Sequence, residues 1–454
     1  MNEKSLIRDL TTGRVSKRLL MFATPLMLSN LLQTIYNMVD MIVVGQFIGS
    51  AGLSAVSIGG DILHLLTFIV MGFSNAGQVL ISQYVGAGDK KSISRAIGTM
   101  FTFILSCAIV FSVICIILAH PILRALNTPP EAYRFAFDYS VTCYVGLFFI
   151  YGYNIVSAIL RGMGDSKHPF LFIAIAAVSN LILDLLFVAV FNWQVFGAAL
   201  ATVLAQGLSF VWSLIFLYRR REAFGFDFKP ESFKIDRGIF ARLTKLGLPM
   251  CLQLGAITFS VLFVNSYINA YGVIASAVTG IGAKLGSITS VVTHAMSIAG
   301  SAMIGQSLGA GKRERIPRVV GFTLLINAVF ALLLSLATVL FPSAIFGIFN
   351  SDPEVLGMAM FYVPVAVLIY WGAASRSPFI ALINGSGQTR LNMTVGILDG
   401  VICRIGLALL LGITLDMGIK GFWYGNAIAG YVPFLIGVIY YFSGKWKYQK
   451  LIIH

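Results

Sequence analysis

Twelve apolar runs, most of them 20 residues or longer, constrain this sequence more than any motif within it. Bounded by Gly, Pro or charge, they fall near 17–45, 51–82, 95–119, 132–160, 170–191 and 197–218 in the first half. Six more follow near 240–269, 274–306, 316–341, 354–383, 391–412 and 419–442. A helix needs ~20 apolar residues to cross the hydrocarbon layer of a bilayer, so each run reads as a transmembrane span, the longer ones tilted or extending past the lipid. With 454 residues in all, little chain remains for any domain outside the membrane. Only 11% of residues are charged and 58% are apolar, against ~25% and ~45–50% in soluble domains. A soluble enzyme is excluded. The expected fold is all-α integral membrane, with twelve transmembrane helices in two pseudo-symmetric six-helix lobes. The N-terminal lobe is expected at 1–218 (spans 1–6) and the C-terminal lobe at 240–454 (spans 7–12). Between them lies a polar linker, 219–239.

The net charge of +14 would suggest a nucleic-acid partner in a soluble chain. Here it sorts by loop. With the N-terminus in the cytoplasm and the spans alternating, 26 of the 32 Lys and Arg residues fall on the cytoplasmic side. Three (Arg124, Arg134, Lys420) fall outside and three (Lys284, Arg376, Arg404) within spans. That asymmetry is the positive-inside rule. It predicts a multi-pass protein with both termini cytoplasmic, in contact with the lipid bilayer and with no nucleic acid. The cysteines at 107, 115, 143, 251 and 403 sit singly in apolar runs, without disulfide or metal-ligand spacing. The polar, basic first 18 residues precede an apolar run too long for a signal-peptide core, so no cleaved targeting segment is expected.

The halves repeat each other. AGQVLISQYVGAGDKKSISRAIG from Ala76 aligns with AGSAMIGQSLGAGKRERIPRVVG from Ala299, pairing Gly86 with Gly309, Gly88 with Gly311, Arg95 with Arg318 and Gly98 with Gly321. The same offset lays LRGMGDSK (160–167) on INGSGQTR (383–390), and one residue more pairs Pro25 with Pro249 and Gly197 with Gly421. Six spans per repeat give both halves the same orientation, a construction typical of alternating-access transporters. The GAGDKK and GAGKRER turns lack G-x-x-x-x-G-K-[ST] and a following nucleotide fold, so they read as helix-ending turns with basic anchors at the membrane surface. Energy from an ion gradient is expected, not from ATP.

LRGMGDSKHP (160–169), the VGAGD and LGAGK turns, and VDMIVVGQFIG (39–49) together resemble the multidrug and toxic compound extrusion (MATE) family, bacterial type, over nearly the whole chain. The resemblance implies cation-coupled export of amphipathic, often cationic, organic compounds by two lobes that splay into a V when open to the outside.

An ionisable side chain inside a span costs roughly 2.5–3.5 kcal/mol on insertion scales and is a functional candidate by default. Four acids qualify: Asp40, Asp61, Asp184 and Asp399. Asn180 precedes Asp184 by one turn, Asp40 closes a polar stripe with Gln33, Tyr36 and Asn37, and Thr202 brings a hydroxyl in span 6. Burial favours a neutral carboxylic acid, whereas donors or a cation favour the carboxylate, so such a group can take up and release a proton. With amide and hydroxyl oxygens beside it, it can also hold Na⁺. The resemblance implies the same set: Asp40, Asn180, Asp184 and Thr202 match the ion-coupling network of one bacterial MATE branch. The second half has Val264, Cys403 and Leu407 opposite Asp40, Asn180 and Asp184, and span 10 carries Arg376 instead of the coupling acid of other branches. Coupling is therefore expected in the N-terminal lobe.

Asp61 and Lys284 occupy equivalent positions in spans 2 and 8, roughly 15 Å in from the outer ends at ~1.5 Å per residue, and are expected to pair as an outer gate. The alternative is an Asp61–His64 contact one turn apart. Asp399 and Arg404 are five apart, a poor spacing within an α-helix, so partners on other helices are expected for them. Gln33, Tyr36, Asn37, Tyr151, Asn154 and Ser157 are the candidate cargo-binding residues, aromatics and amides being suited to cationic compounds.

These readings converge on an H⁺- or Na⁺-coupled antiporter with small organic substrates, no cofactor beyond the coupling ion, and function as a monomer in a bacterial inner membrane. No nucleophile–base or metal set at membrane depth supports an enzyme. The rival expectation is a flippase for lipid-linked oligosaccharides from the same superfamily, which calls for a cation-lined cavity.

Overall fold

A computed structural model describes residues 8–126, 128–448 and 451. Among them, twelve helices are long and apolar enough to cross a membrane. The first six are α1 (Val15–Phe47), α2 (Ala51–Ala87), α3 (Lys90–Ile117), α4 (Pro130–Gly162), α5 (Lys167–Val190) and α6 (Gln194–Arg219). The second six are α7 (Arg237–Asn269), α8 (Val273–Gly309), α9 (Arg313–Leu340), α10 (Pro353–Gly385), α11 (Thr389–Thr414) and α12 (Gly418–Phe442). No strand occurs among the described residues. A backbone in lipid must satisfy its own N–H and C=O groups, and a helix does this within one segment.

The chain forms two compact units. Unit 1 comprises Met1–Asp9 and Thr24–Gly247; unit 2 comprises Leu10–Ala23 and Leu248–His454. Where the sequence reading placed the lobes at 1–218 and 240–454, the first turns of α1 belong to unit 2 and the first turns of α7 to unit 1. Hydrogen bonds hold each transferred piece. In unit 2 the Leu10 N–H donates to Gln306 Oε1 at 3.0 Å, Lys312 Nζ to Thr11 Oγ1 at 3.0 Å, and Arg315 to the Gly13 carbonyl at 3.0 Å. In unit 1 the Asp236 N–H donates to Thr99 Oγ1 at 3.1 Å and Arg242 to the Tyr84 hydroxyl at 2.8 Å. Both changeovers fall immediately before a helix proline, Pro25 or Pro249. Proline removes one intrahelical hydrogen bond, so packing on either side decides where each part of the helix belongs.

Within unit 1, α4 is the central helix, packed on α2, α3 and α6; within unit 2, α10 packs on α8, α9 and α12. The repeat is visible at atomic detail. A Cβ at Gly162 would lie 2.8 Å from the Gln78 carbonyl oxygen, and one at the equivalent Gly385 would lie 2.7 Å from the Ser301 carbonyl oxygen. Small residues here allow the close backbone approach on which membrane helix packing depends. The turns after α2 and α8 use left-handed glycines in the same place, Gly88 (φ 72°) and Gly311 (φ 71°). Asp89 then caps α3 by accepting from the Ser92 N–H at 3.0 Å. Its hydrogen bonds with Ser92 hold its carboxyl below the usual carboxylate range.

Helices α5 and α11 are not α-helical throughout. Both end in π-helix, Leu185–Val190 and Leu410–Thr414, followed by the left-handed residues Asn192 and Asp416 at equivalent positions. A second π segment, Leu398–Cys403, interrupts α11. It corrects the expectation for Asp399, because Arg404 Nη2 donates to Asp399 Oδ1 at 2.7 Å within the same span, while Arg404 also has the expected partner on another helix, donating to Asn426 Oδ1 of α12 at 2.6 Å. At ~3.6 residues per turn, five residues overshoot one α-helical turn by more than a third. The wider i→i+5 winding brings the same five residues back to one face.

Candidate ion-coupling site

Three helices of unit 1 each carry two polar side chains one turn apart: Tyr36 and Asp40 on α1, Asn180 and Asp184 on α5, Thr202 and Gln206 on α6. They meet. Asp184 is fully buried, Asn180 is 3% exposed and Asp40 8%. The Asp40 and Asp184 carboxyls lie side by side. No hydrogen-bond partner among the described residues reaches Asp40 Oδ1 or either oxygen of Asp184. Asn180 Nδ2 donates to Thr202 Oγ1 at 3.4 Å, which ties α5 to α6 next to the acids. The π segment begins at the residue after Asp184, so the acid stands where the helix widens.

Two acids in contact, without a cationic partner, are stable together only if a proton or cation lies between them, because like charges in a poorly solvated site repel. Carboxylate, amide and hydroxyl oxygens are also the ligands a hard cation takes. The arrangement can therefore exchange a small cation.

The MatE family model matches residues 25–186 and 249–420, one match in each half. The chain belongs to the MatE family. The probable multidrug resistance protein YpnP of Bacillus subtilis (strain 168) is 28% identical over 98% of both chains. The probable multidrug resistance protein NorM of Thermotoga maritima is 23% identical, covering 96% of this chain and 94% of its own. A solved outward-facing multidrug resistance MATE transporter superposes with a TM-score of 0.89 at 21% identity, over 97% of this chain and 98% of that one. This MatE protein is thus a multi-pass membrane transporter of the multidrug efflux family, and not an enzyme.

Of the coupling residues expected from sequence, all four come together in this MatE protein. The sequence reading missed three neighbours. Gln206 lies beside the Tyr36 hydroxyl, and its position four residues after Thr202 was the available signal. Tyr139 and Cys143 on α4 lie within electrostatic range of Asp40; nothing in the apolar pattern of α4 singles them out.

The cargo candidates divide. Gln33 and Asn37 are exposed, and Tyr36 and Asn154 are partly buried. Tyr151 and Ser157 are fully buried. The Tyr151 hydroxyl donates to the Leu66 carbonyl at 2.7 Å, stitching α4 to α2, so Tyr151 and Ser157 leave the cargo-facing set in this conformation. Asp61 and Lys284 are each exposed on their own helices, α2 and α8. The His64 ring beside Asp61 packs edge-on against Phe68, with centroids 4.9 Å apart.

Proposed function

We propose that this transporter is a cation-coupled antiporter in a bacterial inner membrane, exporting amphipathic, often cationic, organic compounds by alternating access. The buried Asp40–Asp184 pair supports this reading most directly. An incoming H⁺ or Na⁺ shared by the two carboxylates cancels one of their two charges and draws α1 toward α5; its departure restores the repulsion. Asn180 and Thr202 supply further oxygen ligands when the ion is Na⁺. Gln33, Tyr36, Asn37 and Asn154 provide the aromatic and amide surface for cargo, and cation–π contact with Tyr36 favours positive compounds. The basic loops support cytoplasmic placement of both termini, and an acid network that comes wholly from unit 1 supports function as a monomer. The lipid-linked oligosaccharide flippase is the weaker reading, because a pyrophosphate calls for cations where this unit holds acids.

Efflux of ethidium from cells carrying Asp184→Asn tests the proposal. The substitution keeps shape and hydrogen bonding but removes the titrating charge, and efflux is expected to vanish while the protein remains folded in the membrane. Undiminished efflux from folded Asp184→Asn would overturn the coupling role.

A further inference from the structure

Helix α2 leaves one narrow face uncovered, and that face is polar. Its apolar side is sunk in the core of unit 1, where Ala55, Val56 and Leu66 are buried. A Cβ at Gly59 would lie 2.5 Å from the Tyr139 ring of α4, which fixes the rotation of α2 against its neighbour. Asp61 comes two residues later, ~200° round a helix of 3.6 residues per turn, and so points away from α4. Between Ala51 and Gly86 the exposed residues are Ser57, Asp61, His64 and Leu65. Three of the four are polar. Helix α3 of the same unit exposes Ile109, Val110, Val113 and Ile114 instead, the kind of surface that lipid covers.

A carboxylate inside a span is expensive against hydrocarbon and is tolerated where it meets water. The polar face of α2 therefore borders a watery path. The repeat adds a second observation, because Lys284 at the same register of α8 is exposed as well. Both units open this position, and only the sign of the charge differs. Asp61 takes part in none of the ion pairs among the described residues, and neither does His64 one turn on. The His64 ring packs edge-on against Phe68 instead. The carboxylate is thus held in the open, beside two rings and Leu65, without a countercharge of its own.

We propose that Asp61 is a recognition residue for the positive charge of an organic cation, on a face of α2 distinct from the acids that meet on α1 and α5. One carboxylate matches one positive charge, and the attraction is stronger beside low-dielectric helices than in bulk water. The ring surfaces of His64 and Phe68, with Leu65, receive the apolar body that an amphipathic cation carries next to its charge. A bare metal ion fits less well, since a hard cation takes six or so oxygen ligands and this face offers only the Asp61 carboxylate and the Ser57 hydroxyl. The inference rests on the efflux reading and deepens it. Cargo charge is recognised at Asp61, which leaves the Asp40–Asp184 pair to the coupling ion.

The test is equilibrium binding of tetraphenylphosphonium, and of the uncharged triphenylphosphine oxide, to the purified full-length protein. Asp61→Asn should weaken the cation by about tenfold, equivalent to ~1.4 kcal/mol, and leave the phosphine oxide unchanged. Asp61→Glu, which keeps the charge, should retain most of the wild-type affinity. The same tenfold difference should persist on an Asp184→Asn background, because the coupling pair is not the ligand. Equal tetraphenylphosphonium affinity in wild type and Asp61→Asn, no binding of it by wild type, or equal loss of both compounds in Asp61→Asn overturns the site. So does loss of the Asp61 dependence on the Asp184→Asn background, which makes the effect an indirect one on the acid pair. Ethidium transport in proteoliposomes reports on the efflux reading separately. Binding that depends on Asp61 without any transport by wild type counts against efflux and leaves the cation site standing.

Discussion

Unit 1 sets two carboxyls face to face, Asp40 and Asp184, between Asn180 and Thr202. Unit 2 has Val264, Leu407, Cys403 and Asn426 at those positions, and its buried charge comes from Arg376, Arg404 and Asp399. The scaffold around both is the same down to the close approach at Gly162 and Gly385 and the left-handed residues Asn192 and Asp416. Packing contacts are shared properties of the repeat, whereas the polar side chains at its centre are free to differ. A duplicated lobe can therefore keep one architecture while the charges buried in its two copies differ.

Substitutions separate the two sites in order of effect. Asp40→Asn should reduce gradient-driven transport by at least about tenfold, the loss expected when a group acting in the transport step is removed. Initial rates in proteoliposomes check this, and the contrast fails if the rate is unchanged. In unit 2, Arg404→Met should cost about 3–5 kcal/mol in stability, because it leaves Asp399 buried without its partner. Thermal unfolding in detergent should show the loss, and the double substitution Asp399→Leu/Arg404→Met should recover much of it. The repeat-related glycines give a smaller, local contrast. A Cβ at Gly98 would lie 1.8 Å from the Ser232 carbonyl oxygen, whereas one at Gly321 meets nothing within 4 Å. Gly98→Ala should therefore destabilise by about 1–3 kcal/mol through overpacking of the linker, while Gly321→Ala leaves the unfolding temperature nearly unchanged.

The smallest contrast concerns the loops. Asp89 caps α3, while Lys312 at the equivalent position holds Thr11. Asp89→Ala should cost about 1 kcal/mol. Because hydrogen bonding lowers the folded-state pKa of Asp89, its contribution is present above the ordinary carboxylate range and is lost as pH falls through the lowered value. The difference between wild type and Asp89→Ala should accordingly shrink in acid and stay constant at neutral pH.

The twelve spans, the repeat and the acid network were legible because lipid makes apolar length and stray charge informative. Asp184 could be singled out because a carboxyl in SNLILDLLFVAVF has few bland explanations. The Asp399–Arg404 contact was not legible, since a spacing of five argues against it in an α-helix and nothing in LDGVIC announces π winding. Tyr151 looked like a cargo residue because an aromatic on a polar face reads the same whether it faces a cavity or a neighbouring helix. The exchange of the first turns of α1 and α7 rests on hydrogen bonds from Gln306, Lys312, Thr99 and Arg242, residues distant in sequence from the segments they hold.

The central claim is that ion coupling resides in the acid pair of unit 1. Drug transport in proteoliposomes, with a proton gradient and a sodium gradient imposed separately on wild type and Asp184→Asn, tests it most directly. The account predicts that at least one gradient drives transport by wild type and that neither drives the variant. Transport by Asp184→Asn that still follows the same gradient at the wild-type rate would contradict it.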